Sequence, residues 1–471
     1  MSQRADVVVV GAGAAGLAAA YAARGRGASV ILIERQRLGG ECTWKGCVPS
    51  KTLLEIARRV HAGRRVGLTG DPDFGAVMEH VDDVVLTVSQ DEDHAALRAR
   101  GITVLDGQAT FTGDRRLSVD GTAVHAPVVV LATGTTPLLP PVDGLDAVPL
   151  LTNDSVFDLR ALPRRLAVLG GGPIALELGQ AFQRLSSQVT ILQRAPRLAA
   201  KEEPEASEAL LTVLRREGVR VELGTDVAQV RQGSDGAVCL RAGEMTVEAD
   251  ALLVATGRTA QTDGLEPDAG GVALDDKGYI TVDEHLATTA EGVWAVGDVI
   301  GGPQFTHAGY DMGTLAIGNA HARHPRLRRR FSTRALPWAT YTEPEVGRVG
   351  MTEAQAYAEY GSAAQVAFLP IDQTDRAKCT GDVDGFVKLV AGPKRLTRNL
   401  AGGQLIGATV VCPTGGDVVH ELALAVRTGA FTGRLAQTVH AYPSWSLAVR
   451  EAATLFFTSY KGLRARPARP G

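Results

Sequence analysis

The sequence predicts an α/β protein made of two similar strand–loop–helix units and a third unit of the α+β class. Two observations carry this prediction. A β-branched strand, a glycine-rich loop and an Ala-rich helix follow one another between residues 4 and 24, and the same succession of strand, loop and helix returns between residues 166 and 185. From Trp338 onward, strands and helices alternate without such a loop. Three units also suit a chain of 471 residues, for which about two to four domains are expected.

The first glycine-rich loop, Gly-Ala-Gly-Ala-Ala-Gly, follows a valine-rich strand. The glycines at Gly11, Gly13 and Gly16 allow the backbone to approach a pyrophosphate, whose charge the N-terminus of the next helix stabilises. A second strand ends at Glu34, 23 residues after Gly11, where a carboxylate can bind a ribose diol that carries no 2′-phosphate. The first unit is therefore predicted to be a Rossmann-like dinucleotide-binding domain.

The second loop reads Gly-Gly-Gly-Pro-Ile-Ala and supplies Gly170 and Gly172. The same count of 23 residues leads from Gly170 to Gln193, so the carboxylate of the first unit is missing, and Arg194 and Arg197 follow immediately. Arginine pairs well with a 2′-phosphate. The second unit is therefore expected to bind NADPH in preference to NADH, unless these arginines are simply part of a solvated loop.

Both units contain the tripeptide Ala-Thr-Gly at the end of a later strand, which supplies Thr133 and Gly134 in the first unit and Gly257 in the second. A further strand ends in Gly297-Asp298, which places a carboxylate at the carboxyl edge of a sheet, where α/β proteins bind ligands. We therefore expect two dinucleotide-binding domains, followed by an interface domain. Their predicted bounds are 1–150 with 271–335, then 151–270, then 336–471.

Cys42 and Cys47 stand in the segment Gly-Gly-Glu-Cys-Thr-Trp-Lys-Gly-Cys-Val-Pro-Ser-Lys, which leads into an apolar helical run. A zinc site needs about four ligands, and the other cysteines are scattered singly at positions 239, 379 and 412. A secreted structural disulfide would require an export signal, which the sequence does not show. The pair is therefore predicted to be a reversible dithiol, whose thiolate a helix start and Lys51 favour.

Composition argues against several classes of function. The formal net charge is −3, which gives no global field for nucleic acid or an anionic membrane. No apolar run reaches the roughly 20 residues of a membrane-spanning helix. The basic stretch 323–330 has no interleaved aromatic residues, so we interpret it as a solvated linker rather than a nucleic-acid surface. With few cysteines and no export signal, a cytoplasmic protein is expected.

Two further expectations concern regions outside the glycine loops. Residues 73–100 contain no Pro or Gly after Gly75 and are predicted to form one long helix, whose default role is scaffolding. Residues 464–471, with two prolines and three arginines, are predicted to be disordered. Since the third unit has no nucleotide motif, we expect it to bury surface between the subunits of a homodimer.

The order of these motifs resembles the pyridine nucleotide-disulfide oxidoreductases of the glutathione reductase, dihydrolipoamide dehydrogenase and mercuric reductase type. The resemblance spans nearly the whole chain. Its most specific parts are the Cys42–Lys51 segment, the two glycine loops in this order and the Gly297-Asp298 strand. Phe-Thr-His-Ala-Gly at 305–309 and Tyr-Thr-Glu-Pro-Glu-Val-Gly at 341–347 are also similar to family segments.

The resemblance implies a flavoenzyme. FAD would bind to the first loop with Glu34 and Asp298, and Lys51 would pair with Glu177 beside the reactive flavin nitrogen. Electrons would pass from NAD(P)H to a Cys42–Cys47 disulfide, with Cys47 facing the flavin and Cys42 attacking the substrate. The remaining cofactor contacts would be Gly40, Thr133, Gly134, His307 and, on the nicotinamide side, Gly257.

The C-terminal region departs from the family pattern. Disulfide-reducing members carry His-Pro with a glutamate five residues after the histidine, whereas this chain has Tyr442 before the proline and Leu447 in place of the glutamate. Tyrosine's ordinary pKa exceeds histidine's by about 3.5, or about 5 kcal/mol in proton affinity, so Tyr442 is a poor proton shuttle. His440 could substitute from two positions away. Mercuric reductases have a nearby tyrosine and a C-terminal cysteine pair, but no cysteine follows Cys412 here.

Three functions remain open on this basis. The first is an NAD(P)H-dependent flavoenzyme that reduces an acceptor other than an ordinary small disulfide, such as a metal ion, a quinone or an unusual sulfur species. The second is an ordinary disulfide reductase or dihydrolipoamide dehydrogenase-like enzyme that uses His440 or water. The third is a flavoprotein subunit or redox-responsive binding protein. No resident metal is predicted.

Overall fold

The computed structural model describes residues 2–234, 236–394 and 399–470. A five-stranded parallel sheet forms the centre of the first unit, and its valine-rich strands are buried on both faces, as expected for a sheet covered by other elements on each side. Its strands, in spatial order, are Val293–Ala295, Val128–Leu131, Val7–Val10, Val30–Glu34 and Ile102–Asp106. One edge strand thus comes from a part of the chain that follows the whole second unit.

Helices and a small second sheet complete the first unit. Helix Ala14–Arg24 packs so closely on helix Thr306–Ala320 that a Cβ atom on Gly313 would lie 2.2 Å from the carbonyl oxygen of Ala15. The dithiol segment continues into helix Cys47–Arg65. A four-stranded sheet at the side consists of Ser2–Arg4, Thr122–His125, Arg116–Val119 and Ala109–Gly113.

The second unit repeats this plan on a smaller scale. Its parallel sheet has the strand order Arg220–Leu223, Gln188–Gln193, Arg165–Leu169 and Ala251–Val254. Its helices are Pro173–Arg184 and Pro204–Arg216, and its antiparallel sheet contains Gln229–Gln232, Val238–Ala242 and Met245–Ala249. A two-stranded ribbon, Thr135–Pro137 with Arg258–Ala260, joins the first two units.

The third unit is a six-stranded antiparallel sheet with helices. The strand order is Pro337–Thr340, Glu345–Gly350, Gln404–Cys412, Phe386–Gly392, Gln365–Pro370 and Arg466–Pro467. The helices are Glu353–Tyr360, Asp375–Thr380, Gly415–Thr428, Thr432–Gln437 and Leu447–Thr454. This α+β class agrees with the sequence-based prediction.

The expected long helix over 73–100 is wrong. The chain forms helix Phe74–Ser89, a short 3₁₀ turn at Gln90–Glu92 and then helix His94–Ala99. Asp93 causes the break, because its backbone is extended and its Oδ1 accepts a hydrogen bond of 2.7 Å from the Ala96 N–H. Aspartate favours this N-cap position over a helix interior, so it begins a new helix rather than continuing the old one.

The C-terminal tail is ordered over its described residues, so the expectation of disorder is wrong. Arg466 and Pro467 pair with Val366 and Gln365 at the edge of the third sheet. The Arg466 guanidinium also forms an ion pair with Glu353, a largely buried carboxylate. Backbone pairing together with a buried charge partner outweighs the polar composition of the tail.

Candidate active site

A cavity of 1940 Å³ lies where the three units meet. Its size exceeds the roughly 300–1,000 Å³ of a typical small-molecule pocket, as a site for large or multiple ligands requires. Most residues singled out from the sequence line it: Gly11, Gly13, Glu34, Gly40, Cys42, Cys47, Lys51, Thr133, Gly134, Gly170, Gly172, Glu177, Arg194, Gly257, Asp298 and His307. Gly16, Arg197, His440 and Tyr442 do not line it.

The first glycine loop is shaped by close backbone packing. At Gly11, φ is +101° and a Cβ atom would lie 2.3 Å from the carbonyl oxygen of Ala132, so only glycine fits there. Gly13 borders the cavity. Gly16 supports the loop from behind, because a Cβ atom there would lie 1.9 Å from the Gly11 carbonyl oxygen. Glu34 Oε2 accepts a hydrogen bond of 2.7 Å from the Ala12 N–H.

Two polar groups around this loop fit the flavin nucleotide expected there. The Thr133 hydroxyl is buried without a hydrogen-bond partner among the described residues, although its residue borders the cavity. Burial raises the pKa of Asp298, while Arg258 and a 3.3 Å hydrogen bond from Thr135 oppose the increase. A buried hydroxyl such as that of Thr133 is normally paired, so a polar ligand such as FAD would supply its missing partner.

The second loop has the same backbone shape. A Cβ atom on Gly170 would lie 2.3 Å from the Ala255 carbonyl oxygen, whereas Gly172 has no described atom within 4 Å of its Cβ position. The open side of Gly172 therefore leaves room for a second nucleotide to approach the backbone. Lys201, which the sequence pattern did not single out, also lines the cavity and adds a cation on this side.

The structure separates the two arginines that follow the second loop's strand. Arg194 lines the cavity, but Arg197 does not. Arg197 Nη2 donates to the carbonyl oxygen of Ala200 at 3.2 Å, and its Nη1 is buried with no partner in the described parts of the chain. Only Arg194 is therefore placed to meet a bound nucleotide directly.

Cys42 lies in the short helix Gly40–Trp44, Cys47 begins helix Cys47–Arg65, and both are free thiols in this structure. The Thr306 hydroxyl lies 3.3 Å from both Sγ atoms. A hydrogen bond from Cys42 lowers the pKa of Cys47 to about 6, helped by Thr306 and the Lys51 charge and opposed by burial. The same hydrogen bond, together with burial, raises the pKa of Cys42. The electrostatic environment therefore makes Cys47 the more acidic of the two thiols.

Lys51 and Glu177 form an ion pair beside this dithiol. The Lys51 Nζ to Glu177 Oε2 distance is 2.7 Å, and the Glu177 side chain is only 7% exposed. Burial alone would lower the pKa of Lys51, but the Glu177 carboxylate outweighs it and the pKa is raised. The backbone N–H of Tyr341 donates to Glu177 Oε1 at 2.7 Å, which fixes the carboxylate from its other side.

Glu41, directly before Cys42, is a site residue that the sequence reasoning missed. Its carboxylate accepts a hydrogen bond of 2.6 Å from the Asn153 amide and forms an ion pair with Arg258. Burial raises the pKa of Glu41, and Arg258 opposes this increase. These contacts tie the dithiol loop to the second unit. No local pattern could reveal them, since Arg258 is more than 200 residues away.

His440 and Tyr442 make their contacts elsewhere within the chain. Tyr442 is 72% exposed, and its hydroxyl donates to Asp375 Oδ2 at 3.1 Å. The ring nitrogens of His440 lie 3.0 Å from the Thr438 carbonyl oxygen and 3.1 Å from the Glu421 carboxylate. An imidazole–carboxylate pair therefore exists, although with a glutamate that the family pattern does not use.

No group of three or more His, Cys, Asp or Glu side chains is arranged to hold a metal ion, within residues 2–234, 236–394 and 399–470. Among these same residues, no helix is both long and apolar enough to cross a membrane.

The fold contains two parallel sheets of the nucleotide-binding type, and the glycine loop of each opens on the one cavity that holds the dithiol. These features define a nucleotide-dependent disulfide-type oxidoreductase. Residues 5–313 match the family model described as pyridine nucleotide-disulphide oxidoreductase, and residues 336–453 match the dimerisation domain of the same family. The chain therefore belongs to the pyridine nucleotide-disulphide oxidoreductases, which bind FAD and use NAD(P)H.

Curated relatives match almost end to end. A mercuric reductase from Streptomyces lividans is 37% identical over 466 residues, covering 96% of each chain. A dihydrolipoyl dehydrogenase from Cupriavidus necator is 33% identical over 478 residues, covering 96% of this chain and 98% of the relative.

Solved structures give the same result. The Cu(II) complex of the HOCl-induced flavoprotein disulfide reductase RclA from Escherichia coli is 28% identical, with a TM-score of 0.86 over 96% of this chain and 99% of that one. LpdA from Mycobacterium tuberculosis is also 28% identical, with a TM-score of 0.86 over 97% of this chain and 100% of that one.

Proposed function

We propose that this oxidoreductase passes electrons from NAD(P)H to an acceptor other than an ordinary small disulfide, with a thiophilic metal ion as the first candidate. One observation carries the proposal. At the two positions where disulfide-reducing family members carry the acid–base histidine and its glutamate, this chain has Tyr442 and Leu447. A partner subunit would therefore present a phenol to the dithiol instead of a carboxylate-oriented imidazole.

A metal ion suits this arrangement chemically. Reduction of a disulfide releases a thiolate that must take up a proton, whereas a two-electron reduction of Hg(II) to Hg(0) needs no proton at the acceptor. Thiolates are preferred ligands of soft metal ions. Six relatives named mercuric reductase are 32–37% identical to this chain, and a Cu(II) complex of RclA is known in the same fold. A quinone takes up two protons when two electrons reduce it, and a sulfur species releases a thiolate or sulfide, so these two acceptors do not share the advantage of a metal ion.

Each residue has a defined task in this proposal. FAD, when bound, would supply hydride acceptance from the nicotinamide and electron transfer to the sulfur pair. Lys51, held by Glu177, keeps a positive charge beside Cys47 and stabilises its thiolate. Cys42 is the sulfur that meets the acceptor and releases its proton when it binds a metal ion, and Thr306 contacts both sulfur atoms through hydrogen bonds. The glycine loops and Arg194 orient the nucleotides.

We also propose that the protein is a homodimer and that each chain is divided into the three domains predicted from the sequence. The match to the family's dimerisation domain supports this assembly. Large apolar or aromatic side chains exposed on the third unit, including Leu424 (62%), Val439 (85%) and Tyr442 (72%), provide surface for such an interface. In a dimer, Tyr442 would be available to the partner's dithiol, as the resemblance to the family implies.

A second candidate is an ordinary disulfide reductase or dihydrolipoamide dehydrogenase-like enzyme. The contact between His440 and Glu421 favours it, because a carboxylate-paired imidazole is the usual form of a general acid–base group. In this case His440, rather than Tyr442, would protonate the leaving thiolate.

Acceptor rates in the dimeric holoenzyme separate the two candidates. NADPH oxidation would be measured with Hg(II) in excess thiol, a quinone, glutathione disulfide and lipoamide, with Cys42→Ser as the inactive control. We expect slow disulfide turnover in the unaltered enzyme and faster turnover in Tyr442→His with Leu447→Glu, which together restore the acid–base pair and its orienting carboxylate. Rapid disulfide turnover that His440→Asn abolishes would instead establish the second candidate. Unchanged disulfide rates in a well-folded double variant would reject the missing acid–base pair as the cause.

A further inference from the structure

Tyr341 contacts both members of the Lys51–Glu177 ion pair. Its ring lies beneath the ammonium group of Lys51, with Nζ 4.6 Å from the ring centre. Its backbone N–H donates to Glu177 Oε1, while Lys51 donates to the other carboxylate oxygen. One residue of the third unit thus reaches two side chains that belong to different units.

The position of Tyr341 is well defined by its surroundings. It follows directly after strand Pro337–Thr340, whose last residue is 1% exposed, whereas the Tyr341 side chain borders the cavity. A Cβ atom on Gly416 would lie 3.4 Å from the Tyr341 ring and 3.1 Å from Glu345 Oε2, so a carboxylate and helix Gly415–Thr428 are also close to the ring. The ring therefore lies between the Lys51 ammonium group and helix Gly415–Thr428 of the third unit.

Four charged or titratable groups influence this arrangement. Lys51, Glu345, Glu177 and Cys47 all act electrostatically on the Tyr341 phenol, whose pKa burial raises. Burial also raises the pKa of Glu345 to about 7, opposed by a hydrogen bond from the Gly416 N–H. On the thiol side, Cys47 faces Cys42, Thr306, Lys51 and Glu177.

We propose that Tyr341 is a positioning residue that holds the Lys51 ammonium group next to Cys47 through its ring face. A cation is attracted to the face of an aromatic ring, so the ring restricts where the flexible lysine side chain places its charge. Glu177 alone would allow the ammonium group to move around the carboxylate. The inference rests on the proposed role of Cys47 as the reactive thiolate and extends it to the third unit.

The test measures the pKa of the Cys47 thiol directly. Reduced holoenzyme would be alkylated with iodoacetamide at a series of pH values, and modification of Cys47 would be quantified by peptide mass spectrometry. The exposed Cys379 serves as an internal reference for reagent reactivity. The variants are Tyr341→Leu, Tyr341→Phe and, should the leucine variant not fold, Tyr341→Met. Tyr357→Leu, an exposed tyrosine outside the cavity, is the matched control, and Glu345→Gln removes a second titration near pH 7.

We expect Tyr341→Leu to raise the pKa of Cys47 by about 0.3 to 0.7, equal to about a 2- to 5-fold fall in the ratio of thiolate to thiol, from the strength of an exposed cation–π contact. Tyr341→Phe should retain the unaltered pKa, because its ring face remains. An unchanged pKa in Tyr341→Leu, or an equal increase in Tyr341→Phe, would overturn the role of the ring. If Cys47 of the unaltered protein reacts like an ordinary thiol, its pKa is not lowered. That result would contradict the proposed function itself, because the function relies on Cys47 as a thiolate.

Discussion

The two glycine-rich loops have the same backbone shape, but different side chains face them from the next strand. Gly11 and Gly170 both have positive φ, and each would place a Cβ atom 2.3 Å from the carbonyl oxygen of the alanine in an Ala-Thr-Gly turn. In the first unit, the Glu34 carboxylate accepts a hydrogen bond from the loop's own backbone. In the second, the neutral Gln193 side chain lies against Gly171 and donates to the Arg197 carbonyl oxygen at 3.2 Å.

This difference shows how one backbone design serves two nucleotides. The glycines fix the path of the loop in both units, because a side chain at either first glycine would collide with backbone rather than with a flexible group. The residue at the strand end then sets the charge near the ribose. A carboxylate repels a 2′-phosphate, whereas Gln193 and Arg194, which both line the cavity, would accommodate one under the NADPH preference predicted from the sequence.

The largest expected effect comes from breaking each loop in turn. Gly11→Ala should eliminate most FAD binding and Gly170→Ala most NADPH binding, since each adds a backbone collision to a left-handed strain of about 1–2 kcal/mol. Flavin content and NADPH titration would be measured together with thermal unfolding. Gly27→Ala and Gly224→Ala are matched controls, because both glycines have positive φ but no atom within 4 Å of the Cβ position. Equal losses in the controls would contradict the collision argument.

The second prediction concerns the Cys42–Cys47 dithiol in the cavity that both glycine loops border. Two-electron reduction should produce a long-wavelength charge-transfer band from the Cys47 thiolate to the flavin. Cys47→Ser should abolish the band, and Cys42→Ser should retain it. Because the pKa of Cys47 is lowered to about 6, the thiolate is present above this pH, and the band should fade as pH falls through about 6. The opposite behaviour of the two variants would mean that the sulfur roles are exchanged.

Arg194→Glu should reverse the preference for NADPH over NADH. A hydrogen bond to a charged group contributes about 1.5–3 kcal/mol, so kcat/KM for NADPH should fall about 10- to 100-fold. Arg197→Glu is the control, since Arg197 does not line the cavity and should change selectivity less. Equal kcat/KM with both nucleotides in the unaltered enzyme, unchanged in Arg194→Glu, would reject the assignment.

Gln193→Glu should give the smallest effect of these substitutions and directly tests how the charge at the strand end affects nucleotide selectivity. It introduces the carboxylate of the first unit into the second while Arg194 remains. We expect NADPH affinity to fall about 10-fold, which corresponds to about 1.4 kcal/mol of binding free energy, with little change in NADH affinity. Isothermal titration with both nucleotides checks this, and Gln193→Ala separates the added charge from loss of the amide. An equal loss for both nucleotides would indicate damage to the loop instead.

The sequence was sufficient to predict both loops, the dithiol and the fold class, because each depends on residues close together in the chain. The contacts of Thr306 and Tyr341 with the dithiol and the Lys51–Glu177 pair were not predicted, nor was the Glu41–Arg258 pair, since these contacts form only when distant segments fold together. Residue type alone could not separate Arg194 from Arg197, because their exposure depends on how the loop turns. The helix break at Asp93 was foreseeable in principle, as aspartate is a strong N-cap residue, but the long apolar pattern outweighed it.

The ordered tail has a consequence for handling the protein. Arg466 and the fully buried Lys388 both contact Glu353, and Lys388 also binds Glu203 and Glu205 of the second unit. Although burial alone would raise it, these two cations hold the pKa of Glu353 at about 2, so their contribution is present above its ordinary pKa of 4.5 and is lost as pH falls toward 2. A truncation before residue 464 would leave this carboxylate with one cation fewer. Affinity tags therefore belong beyond Pro470, where the last strand remains intact.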